Sequence, residues 1–279
     1  MLNLAAIVPH PPIIIPDVRD DGIKQLKKTI KAMEKLADDI AEINPDTIIF
    51  ISPHGIVHSD RFAVYGSPKF TGDLSKFGAS SASFHFENDV YLAQKIVEAC
   101  ESTEVEAFQF GDHESEFFEL DHGVVVPMYY LSKKLRNNVK ILPIAYSYLS
   151  KASHFEFGQI ISSVCNSDDF ADDKIVIIAS GDLSHRLLDE NSPYYEFAKE
   201  FDTTIVESIS LKSVQSIFEL DGEIVEKSGE CGYNSILILL GALDKLKYEP
   251  TVLSYEAPFG IGHIVAEFNI KTKKEEDGE

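Results

Sequence analysis

Four of the nine histidines in this chain stand in short motifs at the ends of predicted strands. They are His10 in Pro9-His10-Pro11-Pro12, His54 in Ser52-Pro53-His54-Gly55, His122 in Asp121-His122-Gly123 and His185 in Gly181-Asp182-Leu183-Ser184-His185. Strand ends are where α/β proteins bind their ligands, because loops and helix N-termini converge there. Imidazoles together with a carboxylate form the sites of non-haem Fe(II) and of zinc. The pattern therefore predicts a metal site built from these histidines.

The two Pro-His segments provide the strongest candidates for metal ligands, His10 and His54. Each histidine follows a predicted buried strand, at residues 4–8 or 47–51. The prolines beside them restrict the backbone, so the chain leaves each strand in a rigid, extended form. For either position alone, the alternative is a histidine that only makes a hydrogen bond at a strand end. Because the arrangement occurs twice, a shared site is favoured.

The segment after the predicted strand 174–180 offers an acid–base pair. Asp182 is expected to orient His185 by a hydrogen bond, as carboxylates commonly do for acid–base histidines. Ser184 does not make this a serine hydrolase motif, because adjacent residues rarely form a nucleophile–base pair and no Gly-x-Ser-x-Gly elbow occurs. His122 is expected to point into the same cleft as a donor to substrate. The alternative for that motif is that Asp121 simply caps the next helix.

Two neighbouring residues compete for the third ligand position. Glu230 and Cys231 precede an apolar predicted helix at 233–243, whose N-terminal amides stabilise a carboxylate or a thiolate. Two histidines with one carboxylate form the Fe(II) arrangement that leaves positions open for substrate and O₂. A cysteine would instead favour zinc or copper, and a thiolate is vulnerable to oxidation. Glu230 is therefore the preferred candidate, and Cys231 is the alternative.

The remaining histidines are expected to serve the structure or to face solvent. His263 opens the last predicted strand and is expected to be structural, although it could line a pocket. His113 and His154 lie in polar contexts at helix starts, which predicts solvated side chains. His85 lies in an alternating, strand-like segment, where a packed or exposed role is expected.

Composition places the chain among ordinary globular proteins, with 279 residues, 44% hydrophobic and 25% charged. A net charge of −21 argues against nucleic-acid binding, which requires a basic surface. No stretch approaches the roughly 18 apolar residues that span a bilayer. Three cysteines without paired spacing give no disulfide framework, which favours a reducing, cytoplasmic location.

The elements that must position these residues alternate between strands and helices. Apolar residues recur with a helical period over residues 21–43, and the run 47–51 is typical of a strand buried on both faces. Further helices are predicted at 88–100, 124–135, 194–210 and 233–243, and further strands at 139–146, 174–180, 249–255 and 263–270. This order predicts a single-domain α/β protein, a three-layer α/β/α sandwich around a mixed, largely parallel sheet. The domain is expected to cover residues 1–270, followed by a charged, frayed tail at 271–279.

Taken in this order, the motifs resemble the class III extradiol dioxygenase superfamily, whose reference member is the B subunit of protocatechuate 4,5-dioxygenase. Within it, the chain looks most like the dioxygenase-like domain of AmmeMemoRadiSam system proteins, relatives of the Memo proteins. The resemblance spans residues 2–270. It is carried by Pro9-His10-Pro11-Pro12, Ser52-Pro53-His54, Leu120-Asp121-His122-Gly123, Ser180-Gly181-Asp182-Leu183-Ser184-His185, Glu230-Cys231-Gly232 and Tyr255-Glu256-Ala257-Pro258-Phe259-Gly260.

The resemblance implies an Fe(II)-dependent enzyme that opens a catechol-type aromatic ring with O₂. It implies that His10 and His54 bind iron with a carboxylate near Glu230, that His185 is the acid–base group, and that His122 is a second histidine in the pocket. A cysteine lies at the metal site in the Memo pattern, which Cys231-Gly232 matches.

Two alternatives to the ring-opening enzyme therefore stay open. One is a Memo-like metal-binding redox or interaction protein without ring cleavage, and the other is a zinc-dependent hydrolase; zinc or copper would then replace iron. The expected partners are an aromatic small molecule and O₂. A homodimer and separately encoded AMMECR-type or radical SAM partner proteins are further options that the resemblance leaves open.

Overall fold

The structure, a computed structural model, describes residues 1–16, 18, 24–111 and 118–271. Its strands are β1 Leu2–Val8, β2 Thr47–Ser52, β3 Phe62–Tyr65, β4 Lys69–Leu74, β5 Ala79–Glu87, β6 Ala107–Phe110, β7 Phe118–Glu119, β8 Lys140–Ala145, β9 Ile175–Ser180, β10 Tyr248–Glu256 and β11 His263–Ile270. Its α-helices are α1 Lys27–Ile43, α2 Val90–Cys100, α3 His122–Leu131, α4 Lys151–Cys165, α5 Tyr195–Ser210, α6 Val214–Phe218, α7 Gly222–Ser228 and α8 Tyr233–Leu243.

The larger sheet joins strands in the order β10-β11-β1-β9-β2-β8-β3-β6. Its central strands β1, β9, β2 and β8 run parallel to one another. Strand β11 is antiparallel to both β1 and β10, and β3 is antiparallel to β8. The predicted mixed, largely parallel sheet is therefore confirmed, including the antiparallel pairing of the last two strands.

Successive side chains of the central strands enter two separate hydrophobic cores, because side chains alternate across a sheet. Ile7 and Ile49 belong to the core that also contains residues of α2, α4, α5 and α8. Ala6 and Phe50 belong to the core that contains residues of α1 and α3. Burial on both faces explains why these strands are almost continuously apolar. Helices on both faces of the sheet give the predicted three-layer α/β sandwich.

The strand directions bring the motif residues to one edge of this sheet. His10, His54 and Asp182 each follow the carboxyl end of a parallel strand, and Val8 of β1 pairs with Ser180 of β9. Strand β11 runs in the opposite direction, so its first residue, His263, lies at the same edge. The edge formed by these ends is the region where a ligand site is expected in an open α/β sheet.

A second sheet, with the order β5-β4-β7, was not predicted from the sequence. Strand β4 buries alternate residues and exposes Lys69 and Asp73. Its six residues include Gly72 and two charged side chains, so the apolar signal is weak. His85 lies in β5, in agreement with the alternating pattern of that segment.

The sequence placed a helix start at His154 without predicting the extent of helix α4, and the expectation that His154 is solvated is wrong. His154 has an exposed fraction of 0% within α4. The helix packs closely on α8 through glycine: a Cβ on Gly158 would lie 1.9 Å from the carbonyl oxygen of Ile238. His154 itself is buried because its ring packs edge-on against Phe62 at 5.1 Å and its two nitrogens lie 2.8 and 3.1 Å from the carbonyl oxygens of Ser150 and Ser147. His113 lies outside the described residues.

Helix α3 begins earlier and ends earlier than predicted. The helix expected at 124–135 spans His122–Leu131, and Asp121 caps it by accepting a hydrogen bond from the Gly123 amide at 2.8 Å. The capping role considered for Asp121 is therefore confirmed.

The sequence also predicted a charged C-terminal tail and no segment long enough to span a bilayer. Of the predicted charged tail, residues 272–279 lie outside the described residues. No helix among the described residues has the length and apolar character needed to cross a bilayer.

Candidate metal centre

Three of the four motif histidines converge in a compact cluster at the sheet edge. The Nε2 atoms of His10 and His54 are 3.0 Å apart. His122 stacks on His54 with a centroid separation of 4.2 Å and meets His10 edge-on at 5.2 Å. One ligand atom from each of the three residues lies within 4.8 Å of the other two. Imidazole nitrogens this close can bind one ion together.

His10 is also the centre of a second group, formed with Asp182 and Cys231, whose ligand atoms lie within 4.8 Å of one another. Its Nε2 atom is 3.9 Å from Asp182 Oδ2 and 3.7 Å from Cys231 Sγ. With an exposed fraction of 2%, its imidazole is buried, and this burial lowers the pKa of His10 to about 3. The ring is therefore neutral at physiological pH, which is the form that binds a metal.

Asp182 hydrogen-bonds to His263, a partner that was not predicted. His263 Nδ1 donates to Asp182 Oδ1 at 3.1 Å, and the backbone amide of His10 lies 3.4 Å from the same oxygen. Burial opposes ionisation of this carboxyl, but the neighbouring His10 and His263 lower the pKa of Asp182 to about 2. The expected hydrogen bond between Asp182 and His185 is not formed among the described residues. Asp182 supports the buried histidines instead.

Cys231 reaches the cluster because two backbone segments meet closely. A Cβ on Gly181 would lie 2.2 Å from the Cα of Gly232, so only glycine permits the N-terminus of α8 to approach the end of β9. The amide of Asp182 donates to Cys231 Sγ at 3.3 Å. Burial raises the pKa of the Cys231 thiol, which is therefore protonated when no cation is bound.

The carboxyl group of Glu230 points toward the N-terminus of helix α8. Glu230 belongs to neither group of potential metal ligands. Its Oε2 atom accepts a hydrogen bond from the amide of Tyr233 at 2.6 Å, which satisfies one free amide at the N-terminus of α8. Burial raises the pKa of the Glu230 carboxyl to about 7, although the amides of Tyr233 and Gly232 act to lower it. Of the two competing residues, the structure brings Cys231 to the histidines.

His185 lies on the open side of the cluster. Its side chain is exposed, and its Nε2 atom is 3.9 Å from Cys231 Sγ. Partial burial lowers the pKa of His185, and the charge of Asp182 acts in the opposite direction. A backbone hydrogen bond fixes the position of His185, since its amide donates to the carbonyl of Ser228 at 3.1 Å. A neutral, accessible imidazole beside the cluster can accept a proton from a bound molecule.

An aromatic side chain lies beside the cluster, next to His122. The ring of Phe77 is 5.5 Å from the His122 ring and is 40% exposed. His54 is exposed as well, so the cluster opens to solvent. A small molecule can therefore approach His54 and His185 and contact an aromatic surface.

The donor set fits a divalent transition metal. Neutral imidazoles, a carboxylate and a thiol are the ligands that iron, zinc and copper prefer. Nε2 of the buried His10 lies close to both of the other donors, at 3.0 Å from His54 Nε2 and 3.7 Å from Cys231 Sγ. His10 belongs to both groups of potential ligands, whereas His54 and Cys231 share neither, so the described residues form two adjoining candidate sites that meet at His10.

Sequence reasoning missed several residues of this site. They are Phe77 and the serines at the ends of β2 and β9, for which the sequence contains no signal. His263, at the start of the last predicted strand, was expected to be structural, and its hydrogen bond to Asp182 was not predicted.

Comparison with known proteins gives a consistent result. Residues 4–266 match a family described as the catalytic LigB subunit of aromatic ring-opening dioxygenase. Protein CA_C1420 of Clostridium acetobutylicum is 34% identical over 271 residues, which cover 95% of this chain. The chain spans 57% of the length of that protein.

Two Escherichia coli proteins extend the comparison. The 3,4-dihydroxyphenylacetate 2,3-dioxygenase of Escherichia coli is 26% identical over 280 residues, covering 91% of this chain and 94% of that enzyme. The crystal structure of an uncharacterized protein, JW3007 from Escherichia coli K12, is similar with a TM-score of 0.59. The similarity covers 95% of this chain and 99% of that one at 17% identity, so it supports the fold alone.

Proposed function

Because this chain belongs to the family of the catalytic LigB subunit of aromatic ring-opening dioxygenases, we propose that it is a non-haem Fe(II) enzyme that opens a catechol-type ring with O₂. The observation that carries the proposal is the convergence of His10 and His54, with His185 beside them, at the carboxyl edge of the sheet. The similarity to a 3,4-dihydroxyphenylacetate 2,3-dioxygenase supports a catechol substrate.

His10 and His54 would hold the ion in this proposal, and Cys231, which lies beside His10, is the nearer of the two candidates for a third donor. Its sulfur is 3.7 Å from His10 Nε2, whereas the carboxylate of Glu230 is already hydrogen-bonded at the start of α8. The bound Fe(II) supplies the redox chemistry that lets O₂ react with the aromatic ring. Both atoms of O₂ enter the product of a dioxygenase, so no separate reductant is needed.

His185 supplies the proton transfer. Its lowered pKa keeps the imidazole neutral at pH 7, so the ring can accept a proton from a substrate hydroxyl group. The same imidazole, once protonated, can return that proton to an oxygen of the opening ring. Phe77 gives the substrate ring an aromatic contact at the open side of the site.

Oxygen uptake by protein purified and loaded with Fe(II) under anaerobic conditions tests this function. We expect uptake that depends on both Fe(II) and a catechol such as 3,4-dihydroxyphenylacetate, with one O₂ consumed for each ring opened. Isotopically labelled O₂ should place both oxygen atoms in the product. Stoichiometric Fe(II) binding without uptake for any of a panel of catechols would contradict ring opening.

The thiol at the cluster also favours a second candidate function. Sulfur ligands favour zinc or copper over Fe(II), and a zinc- or copper-bound form would suit a Memo-like metal-binding protein without ring cleavage. Metal analysis of protein purified without added metal distinguishes the two functions. Retained zinc or copper together with no oxygen uptake supports the second candidate.

Replacement of the two competing residues identifies the third donor. We expect Cys231→Ser to weaken metal binding by at least the roughly 10–100-fold that loss of a ligand's hydrogen-bond partner costs, since a directly bound thiolate would be lost. Glu230→Gln, the matched control at the neighbouring position, keeps an oxygen that can accept the Tyr233 amide and should bind metal as the wild type does. Metal titration measures both variants, and the reverse pattern would assign the site to Glu230.

A further inference from the structure

Ser180, the last residue of β9, joins His10 to the start of helix α3. Its exposed fraction is 0%, and its Oγ atom lies 3.0 Å from Nδ1 of His10. The same Oγ lies 2.6 Å from the carbonyl oxygen of Gly123. The hydroxyl is therefore shared between one ring nitrogen and one carbonyl in a buried environment.

The acceptor for the Ser180 hydroxyl proton is the carbonyl oxygen of Gly123. A carbonyl oxygen can only accept, so the Ser180 hydroxyl donates to Gly123 and presents a lone pair to His10. Nδ1 of His10 must then be the donor in the second hydrogen bond. A neutral imidazole carries one N–H, so Nε2 of His10 is left with a free lone pair. That atom is the one directed at His54 and Cys231.

The carbonyl of Gly123 is available because of a proline inside helix α3. In an α-helix, the carbonyl of residue 123 would accept from the amide of residue 127. Residue 127 is Pro127, which has no amide hydrogen. The carbonyl thus lacks its usual helical donor, and the Ser180 hydroxyl takes that place at 2.6 Å. A buried carbonyl without any donor would be costly, which favours this hydrogen bond.

We propose that Ser180 is a positioning residue that fixes the Nδ1–H tautomer of His10, and that Pro127 keeps the carbonyl acceptor of Ser180 free. The tautomer is a property of the protein without metal. Its effect on metal affinity rests on the proposed function, because it requires His10 to be a ligand. Hydrogen-bond partners of ligand histidines commonly change metal affinity by roughly 10–100-fold.

The same reasoning determines the proton on His54 before metal binds. Its Nε2 atom is 3.0 Å from Nε2 of His10, which carries a lone pair, so His54 must donate through Nε2–H. The two histidines therefore have opposite tautomers in the metal-free protein. To bind a cation through Nε2, His54 must change to its Nδ1–H tautomer, whereas His10 keeps its Nδ1 proton.

Nitrogen-15 NMR of histidine-labelled, metal-free protein tests the proposal directly, since protonated and unprotonated ring nitrogens have well-separated shifts. We expect Nδ1–H at His10 and Nε2–H at His54, with assignments made from single-histidine variants. In Ser180→Ala the Nδ1–H form of His10 should lose its preference. In Pro127→Ala a new amide competes for Gly123, so the preference should weaken.

Ser67→Ala is the matched control, because Ser67 is also buried beyond a strand end and its hydroxyl makes no hydrogen bond within the described residues. Its tautomer pattern should equal that of the wild type. An Nε2–H form at His10 in the wild type, or an unchanged tautomer in Ser180→Ala, would overturn the proposal. A change in Ser180→Ala alone would support Ser180 and overturn the part assigned to Pro127.

Zinc titration of the same variants separates this proposal from the proposed function. Weaker zinc binding by Ser180→Ala, by roughly 10–100-fold, is expected when His10 is a ligand. A changed tautomer with unchanged zinc affinity would contradict His10 as a ligand and leave its tautomer assignment standing.

Discussion

Replacing His54 with alanine is expected to abolish stoichiometric metal binding while the protein stays folded. His54 is exposed, so removing its ring leaves no cavity in either hydrophobic core. The change instead removes the imidazole whose Nε2 lies 3.0 Å from that of His10, so the ion loses one of its two proposed histidine ligands. Metal content after anaerobic loading and gel filtration measures the effect, and circular dichroism checks the fold.

His85→Ala is a suitable control, because His85 is an exposed histidine on the separate sheet that contains β4, β5 and β7. It should bind metal with the wild-type stoichiometry. Replacement of the buried His10 should give the same loss as replacement of His54, and His10→Gln is preferable there because glutamine fills more of the space of the ring. Full metal occupancy in both the His54 and His10 variants would exclude this cluster as the metal centre.

Replacing His185 with glutamine is expected to lower turnover by roughly 10²–10⁴-fold while metal affinity stays nearly unchanged. His185 lies beside the cluster, but it belongs to neither of the two groups of potential ligands that share His10. Its role in the proposed reaction is to move a proton, and glutamine cannot do so. Oxygen uptake at saturating catechol and metal titration, performed on the same preparation, measure the two effects separately.

The pH profile gives the second part of this test. Partial burial lowers the pKa of His185, so the neutral base persists below the value of about 6.5 that free imidazole shows. Wild-type activity should therefore decline on the acid side only below that value, as His185 becomes protonated. The residual activity of His185→Gln should lack this decline. If the variant loses its metal together with its activity, His185 is a ligand and not the base.

The amino-acid pattern was sufficient to predict that the candidate residues meet at one edge of the sheet. Continuous apolar runs identified the buried strands, and the residues that follow them, among them His10, His54 and Asp182, were therefore expected to meet. This inference works because the periodicity of an element is local, whereas the parallel direction of the central strands forces their carboxyl ends to one side.

Long-range packing decided which side chains face the histidine cluster. Glu230 and Cys231 are adjacent in the chain, and the orientation of each depends on how the start of α8 packs against Gly181. The hydrogen bond that joins these two segments connects Asp182 to Cys231 across 49 residues, a distance over which no local pattern carries information. The partner of Asp182 was decided in the same way, since His263 reaches it only through the antiparallel pairing of β11 with β1.

For Ser180 as well, the local sequence predicts its place in a strand but not its hydrogen-bond partners. Its place at the end of a buried strand follows from the local pattern, but its two partners come from the end of β1 and from α3, which are distant along the chain. Because side chains alternate along a strand, its sequence predicts which residues share a face. For a loop or a helix start, the direction of each side chain is decided only when the surrounding elements pack. The order of residues was thus enough to predict the central strands and the edge where they meet. Only the packing of the elements decided the partner of Asp182, the contact between Ser180 and His10 and the approach of Cys231 to the histidines.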